Sequence, residues 1–294
     1  MAKPTILLIP GAWFHPSTYD NFLALLQKRS FPTVYGSYPS LNASDPMNTD
    51  AISDTNHVLS HSLLPLVENE GKDVVIVMHS YGGVPGGGAA KGLGKGQRTK
   101  HGKKGGIVGL IYISGFVLPE GASVADGQGG QLPEWVIQDE VRGHLRCNWS
   151  NSSPSKSSLL PSPISDIDIS VREQPSPGLS LPKDPITVLS ADIDPVIAKE
   201  NATKLVPHAT KAFKSPAPAS ALSEPDFEGR MAYLVCTEDK AIPKFGQEAM
   251  MEGTGTRWTT KEIKGSHNSP FLKMTKEAVD IVDQFVIGFL GLAA

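Results

Sequence analysis

Short runs of apolar residues, rich in β-branched side chains, recur near both ends of the chain. We expect strands at Thr5–Ile9 and at 73–78, 107–114, 231–237 and 259–263. Apolar runs without polar alternation are typical of strands that are covered on both faces, as in a parallel sheet. Between these runs, apolar residues recur at helical spacing, which predicts helices that connect parallel strands through right-handed βαβ crossovers. The fold class is therefore expected to be α/β, with a mostly parallel sheet flanked by helices.

This alternation of strands and helices stops for more than a hundred residues in the middle of the chain. Two strands that we expect in one sheet lie on either side of the stretch. We therefore predict an α/β core made of residues 1–118 and 229–294, with residues 119–228 inserted as a lid. The lid is expected to control which substrates reach the core.

Part of the predicted lid has an unusual composition. Residues 150–182 contain 11 Ser and 6 Pro, and such a stretch buries too little apolar surface to offset the entropy of ordering it. We expect residues 141–173 to be disordered, and they interrupt a simple join between Glu140 and Gln174. Two explanations stay open: the segment is a genuine lid loop, or it is translated from an intervening sequence that was not removed.

The charge and the cysteines exclude several classes of partner. Lys and Arg number 27 against 30 Asp and Glu, a formal net charge of −3, so no general positive field attracts nucleic acid or an anionic membrane. Cys147 and Cys236 lack metal-ligand spacing, and we expect neither a metal nor a cofactor. The first apolar run is too short for the core of a signal peptide, which predicts a cytoplasmic protein. We expect a monomer or homodimer that acts on a small molecule.

A glycine-rich turn follows the second predicted strand. After Met78 the chain runs His-Ser-Tyr-Gly-Gly at positions 79–83 and continues through small residues suited to a helix. A sharp strand-to-helix turn of this kind exposes the serine hydroxyl, and its glycines let helix and strand approach closely. Met78 stands where the G-x-S-x-G pattern has its first glycine, a departure that we expect to affect packing rather than chemistry. The turn predicts Ser80 as a nucleophile, and an ordinary glycine turn is the alternative.

A serine nucleophile needs a histidine base and an acid that orients it. Asp239 lies in an acidic loop after the fourth predicted strand, and His267 follows the fifth, 28 residues later. Loops after parallel strands meet at one sheet edge, so we expect both side chains beside Ser80. Glu238 stays open as the alternative acid. Two lid aspartates rank below it: Asp192 and Asp194.

Two backbone N–H groups are needed to stabilise the oxyanion that forms on an attacked carbonyl. Tyr81, the residue after the proposed nucleophile, supplies one of them. The loop after the first strand supplies the other through Ala12, because Gly11 permits close backbone approach. The alternative is that Pro10 and Gly11 form an ordinary turn.

These features together resemble the α/β-hydrolase superfamily, and within it the branch of plant methylesterases, hydroxynitrile lyases and related microbial hydrolases. The resemblance covers the predicted core and rests on four stretches, residues 7–13, 79–83, 235–243 and 265–267. It implies an α/β-hydrolase fold with an inserted lid. The residues that it assigns to the triad and the oxyanion hole are Ser80, Asp239, His267, Ala12 and Tyr81.

Two positions separate esterases from lyases in this branch. The lyases resemble one another in having threonine at the position of Gly11 and lysine at the position of Asn268, and this chain has neither. We therefore expect an esterase that cleaves a carboxylic ester or lactone of a small apolar or aromatic metabolite through an acyl-enzyme. The expected substrate pocket consists of Gly11, Trp13, Phe14 and Asn268. A low-turnover binding receptor or biosynthetic accessory protein, and a lyase or intramolecular acyl transferase, stay open as alternatives.

Overall fold

A parallel sheet forms the centre of the protein, and a smaller antiparallel sheet lies in the inserted region. The computed structural model describes residues 3–138 and 176–292. In chain order the strands are β1 (Thr5–Ile9), β2 (Thr33–Tyr35), β3 (Asp73–His79), β4 (Gly106–Ile113), β5 (Val136–Gln138), β6 (Leu179–Pro182), β7 (His208–Ala209), β8 (Met231–Cys236) and β9 (Thr259–Ile263). The central sheet has the order β2-β1-β3-β4-β8-β9, and its strands pair in parallel. The predicted α/β class is confirmed.

The five strands expected from the sequence are all present, with ends that differ by at most one residue. Their residues in β1, β4 and β8 are buried throughout, which is why these runs lack polar alternation. The sequence analysis missed β2 at the sheet edge. That strand has three residues and is half-buried, so it leaves no clear apolar run.

Helices flank the sheet. They are α1 (Asp20–Lys28), α2 (Ala51–His57), α3 (Gly83–Ala89), α4 (Lys95–Lys100), α5 (Pro185–Leu189), α6 (Pro195–Lys204), α7 (Thr210–Lys214), α8 (Lys244–Gly253), α9 (Ser269–Leu272) and α10 (Thr275–Gly291). After α2 the chain continues in wider π-type turns over Val58–Leu63 and Pro65–Asn69. None of the helices in the described ranges combines the length and the apolar character that crossing a bilayer requires.

The described part of the inserted region, residues 119–138 and 176–228, is called the cap below. It contains α5, α6 and α7 together with β6, which pairs antiparallel with β5 and β7. A partly helical lid was expected, and the cap strands were missed because each has only two to four residues. The expectations for residues 141–173 lie outside the described residues.

Backbone hydrogen bonds join the cap to the loops that follow β1 and β2. The N–H of Val206 donates to the carbonyl oxygen of Trp13 at 2.8 Å, and the N–H of Ala209 donates to that of Ser40 at 2.9 Å. The cap is thus anchored beside the sheet edge at which the predicted catalytic residues lie.

Candidate active site

Ser80 lies at the turn that joins β3 to α3. Its backbone φ is +52°, a left-handed conformation that is strained for a residue with a side chain. A Cβ on Gly82 would lie 2.4 Å from the carbonyl oxygen of Pro10, and one on Gly83 would lie 2.2 Å from that of Phe116. Glycine is therefore required at both positions. This is the strained strand-to-helix turn that the sequence pattern predicts.

Met78, the departure from the G-x-S-x-G pattern, is fully buried and packs against the helix that follows Ser80. A Cβ on Gly86 would lie 2.7 Å from both Cγ and Sδ of the methionine. The methionine side chain therefore uses space that a glycine in α3 leaves open. The larger residue is accommodated by packing and leaves the turn itself intact.

His267 and Asp239 form a buried hydrogen-bonded pair. His267 Nδ1 lies 2.6 Å from Asp239 Oδ2, and both side chains are almost without solvent exposure. Asp239 Oδ1 accepts hydrogen bonds from the backbone N–H groups of Ala241 and Ile242, at 2.8 and 2.9 Å. These donors stabilise the ionised carboxylate, which in turn favours the imidazole tautomer with its proton on Nδ1. His267 Nε2 is then available as a base.

Glu238, the alternative acid, does not approach the histidine. Its side chain is about half exposed, and its carboxylate lies 3.9 Å from the Lys264 ammonium group. The structure therefore brings Asp239, and not Glu238, into contact with His267.

Ser80 and His267 line one cavity. The imidazole of His267 is hydrogen-bonded to Asp239. Among the hydrogen bonds of residues 3–138 and 176–292, none joins this imidazole to Ser80 Oγ. Catalytic hydrogen bonds are often long in free enzymes and shorten when the substrate binds. Ser80, His267 and Asp239 thus lie close together, and the hydrogen bond between Ser80 and His267 is not formed.

His79 is buried against the imidazole of His267. The ring centroids of His79 and His267 are 4.6 Å apart. The Tyr19 hydroxyl lies 2.9 Å from His79 Nδ1, and the N–H of Gly11 donates to the same hydroxyl oxygen at 2.9 Å. Burial, together with the nearby His267, lowers the pKa of His79 well below its usual range. A neutral ring therefore packs against His267.

The backbone N–H groups of Ala12 and Tyr81 have no hydrogen-bond acceptor among the described residues. Both residues are buried, and Ala12 lines the cavity beside Ser80. A buried N–H without an acceptor is uncommon in proteins, and free donors beside the nucleophile are what an oxyanion hole requires. Trp13, at φ +68°, fixes the first loop because its indole N–H donates to the carbonyl oxygen of Ser180 in the cap at 3.0 Å.

The cavity beside Ser80 is apolar. About 420 Å³ of unfilled space, part of it open to solvent, lies in this cavity, and its described lining contains no Asp, Glu, Lys or Arg side chain. Among the lining residues that the structure describes, Gln128 has the one side-chain amide. Core and cap both contribute large apolar side chains, among them Trp13, Phe116, Leu132, Trp135, Leu189 and Phe213.

Of the four residues expected to line the pocket, the structure places only Trp13 in the lining. Gly11 packs closely under Ser80, since a Cβ at position 11 would lie 2.9 Å from Ser80 Cβ. The Phe14 ring stacks on His267, with centroids 6.2 Å apart. Asn268 points its amide at the cap, where Nδ2 donates to Ser190 Oγ at 3.0 Å. These three residues support the site and do not form its wall.

Asp192 in the cap holds the segment that carries His267. Its carboxylate accepts hydrogen bonds from Ser266 N at 3.1 Å, from Ser269 Oγ at 2.6 Å and from Lys273 Nζ at 3.0 Å. Burial raises the pKa of Asp192, but these donors outweigh it and lower the pKa to about 2. The sequence suggested Asp192 only as a lower-ranked acid, whereas the structure makes it a link between cap and core.

The described residues contain no cluster of three or more His, Cys, Asp or Glu side chains arranged to hold a metal ion. Cys236 at the end of β8 is a buried free thiol.

A sequence model of the family described as "Alpha/beta hydrolase family" matches residues 6–281. Two curated relatives are similar over part of the chain. "Alpha/beta hydrolase nvfD" from Aspergillus novofumigatus is 32% identical over 145 residues, 49% of this chain and 56% of the relative. "Probable hydrolase R7" from Phoma sp. is 28% identical over 155 residues, 53% of this chain and 59% of the relative. The chain spans less than two thirds of the length of either relative.

Solved structures match nearly the whole chain. Tomato methylketone synthase I, complexed with 2-tridecanone, has a TM-score of 0.67 and 13% identity, with 98% of this chain and 100% of that chain covered. A methylesterase from Arabidopsis has a TM-score of 0.59 and 14% identity, with coverage of 97% and 99%. An extracellular α/β-hydrolase from a Paenibacillus species has a TM-score of 0.62 and 16% identity, with coverage of 96% and 98%. At these identities the likeness shows a shared fold, which is the fold of the branch that the sequence resembles.

Proposed function

This chain belongs to the α/β-hydrolase family, and we propose that it is a serine hydrolase that cleaves a carboxylic ester or lactone through an acyl-enzyme. The observation that carries the proposal is the 2.6 Å contact of His267 Nδ1 with Asp239 Oδ2 beside a cavity that Ser80 also lines. The strained backbone of Ser80 supports its role as the nucleophile. The names of both curated relatives support hydrolysis as the reaction class.

In the first half of the reaction, Ser80 Oγ attacks the carbonyl carbon of the substrate. His267 Nε2 takes the hydroxyl proton as the new C–O bond forms, and Asp239 stabilises the resulting imidazolium. When the tetrahedral intermediate collapses, the bond to the leaving alkoxide breaks. His267 returns the proton to that oxygen, and an alcohol leaves while the acyl group stays on Ser80.

Water completes the reaction by the same steps in reverse order. His267 Nε2 removes a proton from the water molecule, whose oxygen attacks the acyl carbon. Collapse of the second tetrahedral intermediate breaks the bond to Ser80 Oγ, which recovers its proton from His267. In both halves the N–H groups of Ala12 and Tyr81 donate to the oxyanion, and each such donor typically contributes about 3–4 kcal/mol to the transition state.

The lining of the cavity favours a neutral substrate with an apolar or aromatic group. No charged side chain of the described residues faces the cavity, so a carboxylate or ammonium group on the substrate would be desolvated without a partner. Trp13 and Trp135 lie on its wall with ring centroids 5.9 Å apart, which suits a flat or branched apolar group. Gln128 is available for one neutral hydrogen bond.

The test combines a panel of aryl esters, alkyl esters and lactones with a fluorophosphonate probe that labels activated serines. The wild-type protein is expected to hydrolyse neutral esters and to be labelled, and Ser80→Ala is expected to lose labelling and at least about 10⁴-fold in kcat. Ser114→Ala is the matched control, since Ser114 is also a buried serine with positive φ at the end of the neighbouring strand. Turnover retained in Ser80→Ala, or lost equally in Ser114→Ala, would contradict the proposal.

Two other outcomes would indicate the alternative functions. Tight binding of an ester without labelling or turnover would indicate a receptor or accessory protein. A product that contains no oxygen from isotopically labelled water would indicate a lyase or an intramolecular acyl transferase.

A further inference from the structure

The side chain of Tyr81 leads from the proposed oxyanion hole into a buried polar network. Its phenol hydroxyl donates a hydrogen bond to Asp54 Oδ2 at 2.7 Å, and the tyrosine is fully buried. The network consists of Ser40, Asp54, Tyr81 and His208. The proposed reaction uses only the backbone N–H of Tyr81, so it gives the side chain no role.

Asp54 in α2 has no solvent exposure and no cationic partner within the described part of the chain. Its carboxylate accepts hydrogen bonds from the backbone N–H of Ser40, at 2.9 Å, from the hydroxyl of Ser40, and from Tyr81. Burial raises the pKa of Asp54 to about 6, although these donors oppose the rise. Apolar residues of similar volume often replace a buried ionic group without loss of stability. Stability alone is therefore a weak reason for a carboxylate at this position.

Ser40 connects this carboxylate to the cap. Its hydroxyl oxygen lies 2.9 Å from His208 Nε2 on β7, and its carbonyl oxygen accepts the N–H of Ala209 at 2.9 Å. The imidazole of His208 also packs edge-on against the ring of Tyr81, with centroids 4.7 Å apart. The network thus spans the cap, the loop after β2, helix α2 and the turn that carries the nucleophile.

The protons of the network can be assigned. The Ser40 hydroxyl donates a hydrogen bond to the ionised Asp54, so its oxygen is free to accept a hydrogen bond from His208 Nε2. Burial lowers the pKa of His208 to about 3, which keeps the imidazole neutral with one proton. The contact with Ser40 Oγ assigns that proton to Nε2, and Nδ1, which has no hydrogen-bond partner among the described residues, is the unprotonated nitrogen. Each polar hydrogen that the network contains then has an acceptor.

The network clamps Tyr81 at the far end of its side chain, while the strained turn holds its backbone. Phe213 and Tyr38 pack on the same ring, with centroids 5.4 Å from it in both cases. A side chain held at its tip and along its faces restricts rotation of the peptide group to which it is attached. This restriction matters because oxyanion donors act at about 2.7–3.1 Å from the oxygen, and a misplacement of about 1 Å costs roughly 100-fold in rate.

We infer that Ser40, Asp54 and His208 are positioning residues that hold the side chain of Tyr81, and with it the backbone N–H of Tyr81, where the oxyanion forms. The inference rests on the proposed function, since it assigns this network to the same reaction. Because His208 belongs to the cap, the geometry of the oxyanion hole then depends on the cap being docked on the core. A substrate that stabilises the docked cap is expected to complete the hole at the same time.

The experiment measures Tyr81→Phe and Asp54→Asn with p-nitrophenyl butyrate and two inhibitors. An aryl trifluoromethyl ketone forms a tetrahedral adduct with an activated serine and needs the oxyanion hole, whereas the matching methyl ketone binds as a ground-state analogue. Both variants are expected to lower kcat by about 10- to 100-fold and to lower the affinity for the trifluoromethyl ketone by the same factor. KM and the affinity for the methyl ketone are expected to stay within about threefold of wild type, a split that a purely structural role would not produce.

Tyr233→Phe is the matched control. Tyr233 is also a buried tyrosine, and its hydroxyl donates one hydrogen bond to the carbonyl oxygen of Gly115 at 2.8 Å. This variant is expected to lower the melting temperature without the loss in kcat. The double variant of Tyr81 and Asp54 is expected to be no slower than the slower single variant, because both act through one contact.

Folded Tyr81→Phe with wild-type kcat and wild-type affinity for the trifluoromethyl ketone would overturn the inference. An equal loss in Tyr233→Phe would also overturn it. If Asp54→Asn does not fold, Tyr81→Phe decides the question alone, since it keeps the ring and its packing. A wild-type protein that neither hydrolyses the ester nor reacts with the fluorophosphonate probe overturns the proposed function and this inference with it.

Discussion

His267 Nδ1 lies 2.6 Å from Asp239 Oδ2, and neither side chain is accessible to solvent. The pair joins the loop after β8 to the loop after β9 across 28 residues of sequence. Because the carboxylate also accepts two backbone N–H groups, its orientation is set by the loop itself.

Asp239→Asn is expected to lower kcat about 10⁴-fold, because the amide no longer favours the imidazole tautomer with its proton on Nδ1. The measurement is steady-state hydrolysis of the best ester from the panel, with the melting temperature as a check of folding. Glu238→Gln is the matched control and is expected to stay within a few-fold of wild type, since Glu238 is exposed and contacts Lys264. If Glu238→Gln shows the larger loss, Asp239 is not the acid.

Gly11→Ala is expected to lower kcat/KM at least about tenfold. Forcing a methyl group into a close-packed region costs about 1–3 kcal/mol and shifts the neighbouring atoms, which here belong to Ser80 and His79. The added Cβ would lie 2.9 Å from Ser80 Cβ and 3.0 Å from His79 Nδ1. Gly11→Thr is expected to disturb the site further, since threonine adds more atoms at the same crowded position. Gly288→Ala is the control, since nothing lies within 4 Å of its Cβ and alanine favours the helix. Equal activity of the two variants would show that the space at Gly11 is not needed.

Asp192→Asn is expected to lower kcat several-fold, because one of the two oxygens that hold Ser266, Ser269 and Lys273 becomes an amide donor and the negative charge is lost. The folded-state pKa of Asp192 is about 2, below the usual 3.8. This carboxylate therefore contributes stability that is fully present above pH 3.8 and is lost as the pH falls through 2. With a discount for its partial exposure, the loss in the variant at pH 7 is expected to be about 1–2 kcal/mol.

The control for Asp192 is Asp194→Asn in the same part of the cap. Asp194 caps α6 by accepting the N–H groups of Val196 and Ile197. Asparagine caps helices about as well as aspartate, so urea unfolding and kcat are expected to be close to wild type. Equal losses at the two positions would mean that the cap is sensitive to any substitution and that Asp192 has no special link to His267.

The free energy of unfolding of wild type relative to Asp54→Asn is expected to depend on pH. The pKa of Asp54 rises from 3.8 to about 6 on folding, so folding favours the protonated carboxyl. Its contribution is present below pH 3.8 and is lost as the pH rises through 6, by at most about 3 kcal/mol. Asparagine does not ionise, so the free energy of unfolding of the variant increases relative to that of wild type as the pH rises over this range.

Urea unfolding of both proteins at pH 4, 5, 6 and 7 measures this difference. The groups that act on the carboxylate are Ser40, Tyr81, Tyr38, His208 and Asp50. Burial raises the pKa of both tyrosines and lowers that of His208, and hydrogen bonds from Ser53 lower the pKa of Asp50, so these groups keep their charge in the folded protein over this range. His208 titrates in the unfolded chains of both proteins and cancels in the comparison. A difference that stays constant from pH 4 to pH 7 would contradict the raised pKa.

The core and the strained turn at Ser80 were predictable because their determinants are local. A buried parallel strand shows itself as an apolar run, as in Thr5–Ile9, and a strained turn shows itself through glycines that no other residue replaces, as at Gly82 and Gly83. Met78 was expected to affect packing rather than chemistry, and the structure shows how it packs. Its compensation by Gly86 is a contact between residues eight positions apart, which the sequence pattern does not reveal.

The wall of the cavity was harder to predict, because cap and core meet there. Trp13 was expected in the lining, and the structure places it there. Gly11, Phe14 and Asn268 were expected on account of their place beside the catalytic residues in sequence. Adjacent residues in a turn point in different directions, so these three pack behind the site while Trp135 and Phe213 of the cap fill the wall.

The amino-acid sequence by itself determined the α/β class, the strained turn at Ser80 and the order of Ser80, Asp239 and His267 along the chain. These follow from periodicity, from glycine requirements and from strand succession, all of which act over a few neighbouring residues. The tertiary structure decided that Asp239 and not Glu238 meets His267, that Asp192 links the cap to the histidine, and that Ser40, Asp54 and His208 surround Tyr81. Such contacts depend on burial and on the docking of segments that lie far apart in sequence. Their energies arise only once water has been excluded between those segments.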